Sequence, residues 1–119
     1  MKEYELSQKY QKIILKTLNK LIYTQQTCSY KDLATICKVS PPFAIRKIMV
    51  FLEKTIEKDI QKKRGIRASV IVSKMKPQNQ RIPSNFFFKV CKENAIYNGS
   101  FDGKDAINFH KRLLTKLFS

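Results

Sequence analysis

The chain has 119 residues, and 24 lysine and arginine residues against 9 aspartate and glutamate residues give it a formal net charge of +15. A hydrophobic fraction of 43%, with 8 phenylalanines and 5 tyrosines, is enough to build a core and excludes a disordered basic tail. Three cysteines without a Cys-x-x-Cys pair exclude a disulfide framework and a zinc site, and no segment reaches the roughly 18 apolar residues of a membrane-spanning helix. The composition, the cysteine content and the lack of a long apolar segment together predict a folded cytoplasmic protein.

Hydrophobic periodicity predicts a long amphipathic helix from Leu6 to Tyr23 at the start of the chain. Thr27 to Ser29 is predicted as a very short strand. A second helix follows from Tyr30 to Cys37, with Ser29 as its N-cap and Asp32 in its first turn, where the helix dipole favours a negative charge. The positions expected to face the core are Leu6, Tyr10, Ile13, Ile14, Leu18, Leu21, Ile22, Leu33, Ile36 and Cys37.

A tight turn from Lys38 to Ser40 leads into a third helix, which Ser40 caps and which begins with Pro41 and Pro42, because proline at the first helical positions loses no hydrogen bond. Gly65 is predicted to close this helix in the left-handed conformation, after Lys62. Its predicted buried stripe consists of Ile45, Ile48, Met49, Leu52, Ile56 and Ile60.

The β-branched residues at the end of Ile66–Val72 predict a buried strand, and the polar Lys74–Arg81 segment is turn-like. Phe86–Cys91 fits either a strand or a helix capped by Ser84, and the spacing of its apolar residues favours the helix. A final helix starts at residue 102 or 103. The apolar side of that last helix is Ala106, Ile107, His110, Leu113, Leu114, Leu117 and Phe118.

These elements predict a mainly α fold with a small β component, as one domain over residues 1–119. Its helix-turn-helix core spans residues 5–81, and residues 82–119 form an extension with the added C-terminal helix. The order of the elements resembles a winged helix-turn-helix domain, in which the Lys74–Arg81 segment occupies the place of the wing.

A helix-turn-helix pattern within a strongly basic chain indicates a nucleic acid as the partner. The second helix of such a pair enters the major groove with its first turns near base edges. The residues predicted to contact DNA there are Phe43, Arg46, Lys47 and Val50. Arg46 is the best single candidate, because a guanidinium binds guanine or phosphate through paired donors. The cations expected to contact backbone phosphates are Lys54, Lys58, Lys62, Lys63, Arg64, Arg67, Lys74, Lys76 and Arg81.

A second resemblance depends on Ser29-Tyr30-Lys31-Asp32-Leu33-Ala34 and Pro42-Phe43-Ala44-Ile45-Arg46, which look like the DNA-binding half of the alkylguanine DNA alkyltransferases and their alkyltransferase-like relatives. The resemblance implies that Tyr30 pushes on the target phosphate and that Arg46 fills the gap left by a flipped nucleotide. The family's Pro-Cys-His-Arg motif is absent. The most similar segment, Ile82-Pro83-Ser84-Asn85, has no thiol, so alkyl transfer is not implied.

Three functions remain open at this point. The first is a non-enzymatic binder of duplex DNA, in transcriptional control or an accessory task; the second is a sensor of damaged or flipped bases; the third is a basic module that binds an acidic protein, such as an inhibitor of a nucleic-acid enzyme. Single-stranded nucleic acid or RNA is an alternative partner, and a homodimer is compatible with the pattern. No catalytic motif, metal-ligand set or cofactor loop is visible. Phe86-Phe87-Phe88 is compatible with a core, a stacking platform or an interface.

Overall fold

The secondary structure is mainly helical, with one very small sheet. A computed structural model describes residues 4–76 and 80–119. Its elements are α1 (Gln8–Tyr23), β1 (Cys28–Ser29), α2 (Tyr30–Ile36), α3 (Ala44–Gln61), a 3₁₀ turn (Arg67–Val70), β2 (Ile71–Val72), α4 (Asn85–Glu93) and α5 (Gly103–Phe118). The fold is therefore mainly α with a small β component, as the sequence predicts.

The first two helices lie close to their predicted positions. The Ser29 hydroxyl accepts a hydrogen bond of 3.0 Å from the backbone amide of Asp32, so the predicted N-cap of α2 is confirmed. Two predicted core positions are wrong, since Ile13 is 36% exposed and Ile36 is 55% exposed. Both residues lie at the edge of the apolar stripe of their helix, and the neighbouring elements cover only the centre of that stripe.

The start of α3 differs from the prediction by three residues. Ser40 does not cap this helix, and Pro41 and Pro42 precede it instead of forming its first turn. Phe43 occupies the N-cap with a φ of 62°, in the left-handed region that a bulky side chain rarely adopts, so the helix begins only after it. The Ser40 hydroxyl forms a hydrogen bond of 2.9 Å with the hydroxyl of Tyr10 on α1.

The residue that closes α3 is Lys63, not Gly65. Lys63 has a φ of 54° and donates its amide to the Ile60 carbonyl at 3.0 Å, while the following amide donates to the Asp59 carbonyl at 3.0 Å. These two bonds form the Schellman pattern that ends many helices. Gly65 matters for another reason, because a Cβ atom there would lie 2.6 Å from Cδ2 of Leu117 on α5.

The buried face of α3 is wider than the sequence predicts. Ile48, Leu52 and Ile56 are buried as expected, whereas Ile45, in the first turn, is 39% exposed. Three further positions are buried that the predicted stripe did not include: Phe51, Thr55 and Asp59. The extra width arises because both α2 and α4 pack against α3.

The sheet is a parallel pair of two-residue strands, with Cys28 opposite Ile71 and Ser29 opposite Val72. The predicted strand is therefore shorter than expected, and its first part is the 3₁₀ turn. No antiparallel hairpin follows β2 within the described ranges; the Ser73 amide donates to the Ile82 carbonyl at 2.9 Å and closes a loop. Residues 77–79 of the predicted turn lie outside the described residues.

Residues 82–119 share one core with residues 5–81. The helical interpretation of Phe86–Cys91 is confirmed by α4, and the predicted final helix by α5. Phe87 and Phe88 are fully buried, and Phe109 of α5 packs near Phe88 with ring centroids 6.4 Å apart. The radius of gyration, 13.5 Å, is the value expected for one compact unit of this length.

Candidate nucleic-acid interface

The turn between α2 and α3 fixes the position of the first residues of α3. Lys38 adopts the left-handed conformation with a φ of 54°, and the Val39 amide donates to the Ala34 carbonyl at 3.1 Å. The Val39 side chain is buried and anchors the turn in the core. The segment that follows, from Ser40 to Phe43, is exposed, so the start of α3 faces solvent.

An aromatic and cationic group lies at the start of α3, and we call it the head cluster: Tyr4, Phe43 and Arg46. The Arg46 guanidinium lies over the Tyr4 ring, 5.1 Å from its centroid. The Tyr4 ring meets the Phe43 ring edge-on, with centroids 5.4 Å apart. Phe43 is 55% exposed. The cluster therefore presents a positive charge and an aromatic surface to solvent. Tyr4 is not among the contact residues predicted from the sequence, because only the folded chain brings it beside α3.

Lys47 and Val50, the other two predicted base-contacting residues, are less exposed than the head cluster. Lys47 is half-buried, and its Nζ donates to the Ser40 carbonyl at 3.3 Å. Val50 is also half-buried. Lys47 thus holds the turn against α3, and the prediction that it contacts bases is not supported by this position.

A buried aspartate binds two of the predicted phosphate contacts. Asp59 is fully buried, and its Oδ1 accepts from Nε of Arg64 at 2.6 Å and from Nη2 of Arg67 at 3.0 Å. Its Oδ2 accepts from the Arg67 amide at 3.0 Å and from Nε at 3.2 Å. Charge-assisted bonds of this kind are the strong ones. Arg64 and Arg67 therefore stabilise the junction between α3 and the 3₁₀ turn, and Arg67, whose side chain is only 19% exposed, is not the free cation that was expected. The Arg64 side chain stays 42% exposed.

Two further predicted phosphate contacts are also engaged within the chain. The side chain of Lys76 is only 10% exposed, and its Nζ bonds to the Phe101 carbonyl and the Asn85 side chain at 2.9 Å, and to Asp102. Lys76 is therefore a structural cation, and its prediction as a phosphate contact is wrong. Lys74 forms an exposed ion pair with Asp32 at 3.6 Å, which competes only weakly with another anion.

The remaining predicted cations are exposed and make no ion pair with any described residue. Three of them follow one another at four-residue steps along α3 and its C-cap, and we call them the lysine ridge: Lys54, Lys58 and Lys62. Residues four apart lie on the same face of a helix, so the ridge presents three positive charges at intervals of about 6 Å. Lys63 and Arg81 are exposed as well.

A line of acidic residues runs beside the lysine ridge. Glu53 and Glu57 are 7 and 11 residues after Arg46 in the chain, so they lie below Arg46 on the same side of α3. Burial, followed by the charges of Glu57 and Glu93, raises the pKa of Glu53, although Lys89 opposes this shift. An approaching polyanion is therefore attracted to the head cluster and the ridge, and it is repelled by the part of α3 below Arg46 that carries Glu53 and Glu57.

Tyr30 is not exposed, in contrast to its predicted role as a nucleic-acid contact. It is 4% exposed, and its hydroxyl accepts a hydrogen bond of 3.1 Å from the Ser84 amide. Burial raises the pKa of the Tyr30 hydroxyl, while the bond from Ser84 lowers it in part. Its ring meets that of Phe86 edge-on at 5.6 Å. The hydroxyl is thus held inside the fold, and a phosphate contact requires local movement.

A mostly apolar cleft lies beside this tyrosine. One part, of about 210 Å³, has Ile45, Met49 and Tyr30 among its lining residues. An adjoining part of about 460 Å³ shares Met49 and Ser84 with it. The exposed side chains of Lys31 and Lys74 also line the smaller part. The cleft therefore joins an apolar interior to two cations near the first turns of α3.

Phe87 and Phe88 are core residues, so they do not form a stacking platform. The thiols are not activated nucleophiles either. Burial, with the charges of Asp32 and Cys37, raises the pKa of Cys28 to about 11, and burial raises the pKa of Cys91 to about 12. Both are therefore protonated thiols at neutral pH.

Comparison with models of protein families, with curated proteins and with solved structures found no match. In the described part of the chain, no helix combines the length and apolar character needed to cross a membrane. No group of three or more His, Cys, Asp or Glu side chains within residues 4–76 and 80–119 is arranged to hold a metal ion.

Proposed function

We propose that this protein binds duplex DNA without catalysing a reaction. The head cluster enters a groove, and the lysine ridge lies along the phosphate backbone. The observation that carries the proposal is the combination of an exposed Arg46 at the start of α3 with two unpaired lysines further along this helix and a third, Lys62, at its C-cap. Arginine at the first turn of such a helix suits a base edge or a phosphate, and lysines along its side suit the backbone.

The internal ion pairs limit which cations can contact DNA. Arg64, Arg67 and Lys76 are engaged by carboxylates, so the interface depends on fewer cations than the net charge suggests. The acidic side at Glu53 also restricts the orientation of the duplex, because phosphates are repelled there. As part of this proposal, we assign the protein a cytoplasmic task on DNA, in transcriptional control or in another DNA-associated process.

A salt titration with three substrates tests the proposal. Binding to a labelled duplex, to a single strand of the same sequence and to RNA is measured over a range of salt concentrations. The expected result is preference for the duplex, with a logarithmic salt dependence that corresponds to about four phosphate contacts. Arg46→Ala is expected to weaken duplex binding and to make the salt slope shallower by about 0.9, since it removes one of these four phosphate contacts. Equal affinity for every polyanion would favour an acidic protein partner instead.

Recognition of a flipped base is a second candidate function, and the cleft beside Tyr30 favours it. An apolar cavity beside Ile45 and Tyr30 suits an extruded base, and Lys31 and Lys74 suit the adjacent phosphates. The test compares a paired duplex with a duplex that carries a mismatch or a damaged base. A sensor binds the second duplex more tightly, and Ile45→Trp, which fills the cleft, removes that preference without weakening binding to the paired duplex. A general binder shows no preference in either form.

A further inference from the structure

A separate cavity of about 360 Å³ lies at the other end of α3, where the chain passes against α5. Buried Ile66 and Phe109 and half-buried Ile60 and Leu113 line it, and the partly exposed Ile96 completes the lining. Cavities of roughly 300–1,000 Å³ with mostly apolar linings are typical of small-molecule sites. The interior of this cavity therefore favours an apolar ligand body of modest size.

Three cations also line this cavity: Lys63, Arg64 and Lys116. All three are exposed, so they lie toward its mouth, not its floor. Arg64 is held in position because its Nε donates to Asp59 at 2.6 Å, and this bond uses only one of its five N–H donors. Its side chain remains 42% exposed. A fixed guanidinium together with two ammonium groups in the same lining is complementary to a carboxylate.

We propose that this cavity binds a small monocarboxylate with an apolar body. The hydrocarbon or aromatic part occupies the space between Ile66, Phe109 and Leu113, and the carboxylate meets Arg64 and the two lysines. An acidic peptide is a weaker fit, because a cavity of about 360 Å³ accommodates only a small apolar body. Binding therefore requires both parts of the ligand, the apolar body for the cavity and the carboxylate for the cations.

This proposal is independent of DNA binding. Ile60 is 14 residues after Arg46 on α3, which places the cavity about 21 Å along the helix from the head cluster. None of its lining residues belongs to the head cluster or the lysine ridge. Failure of one proposal therefore leaves the other untouched.

The test uses octanoate as the probe and follows the backbone amide signals of isotopically labelled full-length protein by NMR. The expected result is a saturable shift confined to residues 60–66, 96 and 109–116. Octylammonium has the same chain with the opposite charge, and acetate has the charge without the chain, so neither should produce these shifts. No saturable shift with octanoate, or the same shifts with either control compound, would overturn the proposal.

Paired variants test the role of the cations. Lys63→Gln with Lys116→Gln is expected to weaken octanoate binding about tenfold, as two charge contacts near the surface are lost. Lys12→Gln with Lys104→Gln removes the same net charge from exposed positions outside the cavity and should leave the affinity unchanged. Equal weakening in both pairs would show a general effect of net charge and would contradict a built site.

Discussion

Replacing the three lysines of the ridge by glutamine changes the charge of α3 without changing its interior. Lys54, Lys58 and Lys62 are exposed and make no ion pair with a described residue, so each substitution should change the free energy of unfolding by less than about 0.5 kcal/mol. Glutamine has nearly the same helix propensity as lysine. An effect of the triple variant on DNA binding therefore reports the lost charges and not an altered fold.

The expected magnitude follows from counterion release. Each phosphate contact contributes about −0.9 to the slope of log K against log salt concentration, so Arg46 and the ridge together give a slope of about −3.6. Between about 50 and 200 mM salt, this slope weakens binding by about 150-fold. The triple variant retains one of the four contacts, so its slope falls to about −0.9 and its loss over the same range to about threefold to fourfold.

Fluorescence anisotropy of a labelled duplex across this salt range measures both slopes. The chain also offers a matched control, because Lys12, Lys16 and Lys20 are exposed at the same four-residue spacing on α1. Their replacement by glutamine changes the net charge by the same amount and should leave the slope unchanged. If the ridge variant keeps the slope of the original protein, or if both variants lower it equally, the lysine ridge is not the backbone contact.

Three further predictions concern stability. Asp59→Asn is expected to lower the free energy of unfolding by about 3–5 kcal/mol in urea titrations, because it leaves two arginines without their buried partner; a loss below 1 kcal/mol would contradict this role. Burial lowers the pKa of His110, although the bond to the Ser69 carbonyl opposes the shift, so the folded protein binds its proton less readily than the unfolded chain. Stability is therefore full above a pH of about 6.5 and falls as pH decreases toward the folded pKa, by up to about 1.4 kcal/mol per pH unit; His110→Gln should flatten this dependence, and an unchanged curve would refute it. Ser29→Ala should cost about 1 kcal/mol, measured by thermal and urea unfolding, since it removes the hydrogen bond to Asp32, and Thr35→Ala, on the exposed side of the same helix, is the control.

The main error in the predicted site concerns its cations. All of them were expected to contact nucleic acid, but some bind carboxylates within the protein. Asp59 appeared in the sequence as a single negative charge among many positive ones, yet the fold buries it between Arg64 and Arg67. Lys76 was assigned to phosphates, although it bonds to Asp102, which is 26 residues away in the chain. Net charge along a segment indicates the sign of its partner, but it does not show which charges are already paired.

The helices, the Ser29 cap and the overall α character could be predicted from the order of the residues. These features depend on residues within one or two helical turns, whose spacing is visible in the chain. Three features appear only in the folded molecule: Phe43 precedes α3, Tyr4 lies under Arg46, and β1 pairs in parallel with β2. Such contacts join residues far apart in the chain, and their energies depend on distances and burial that only the packed molecule defines.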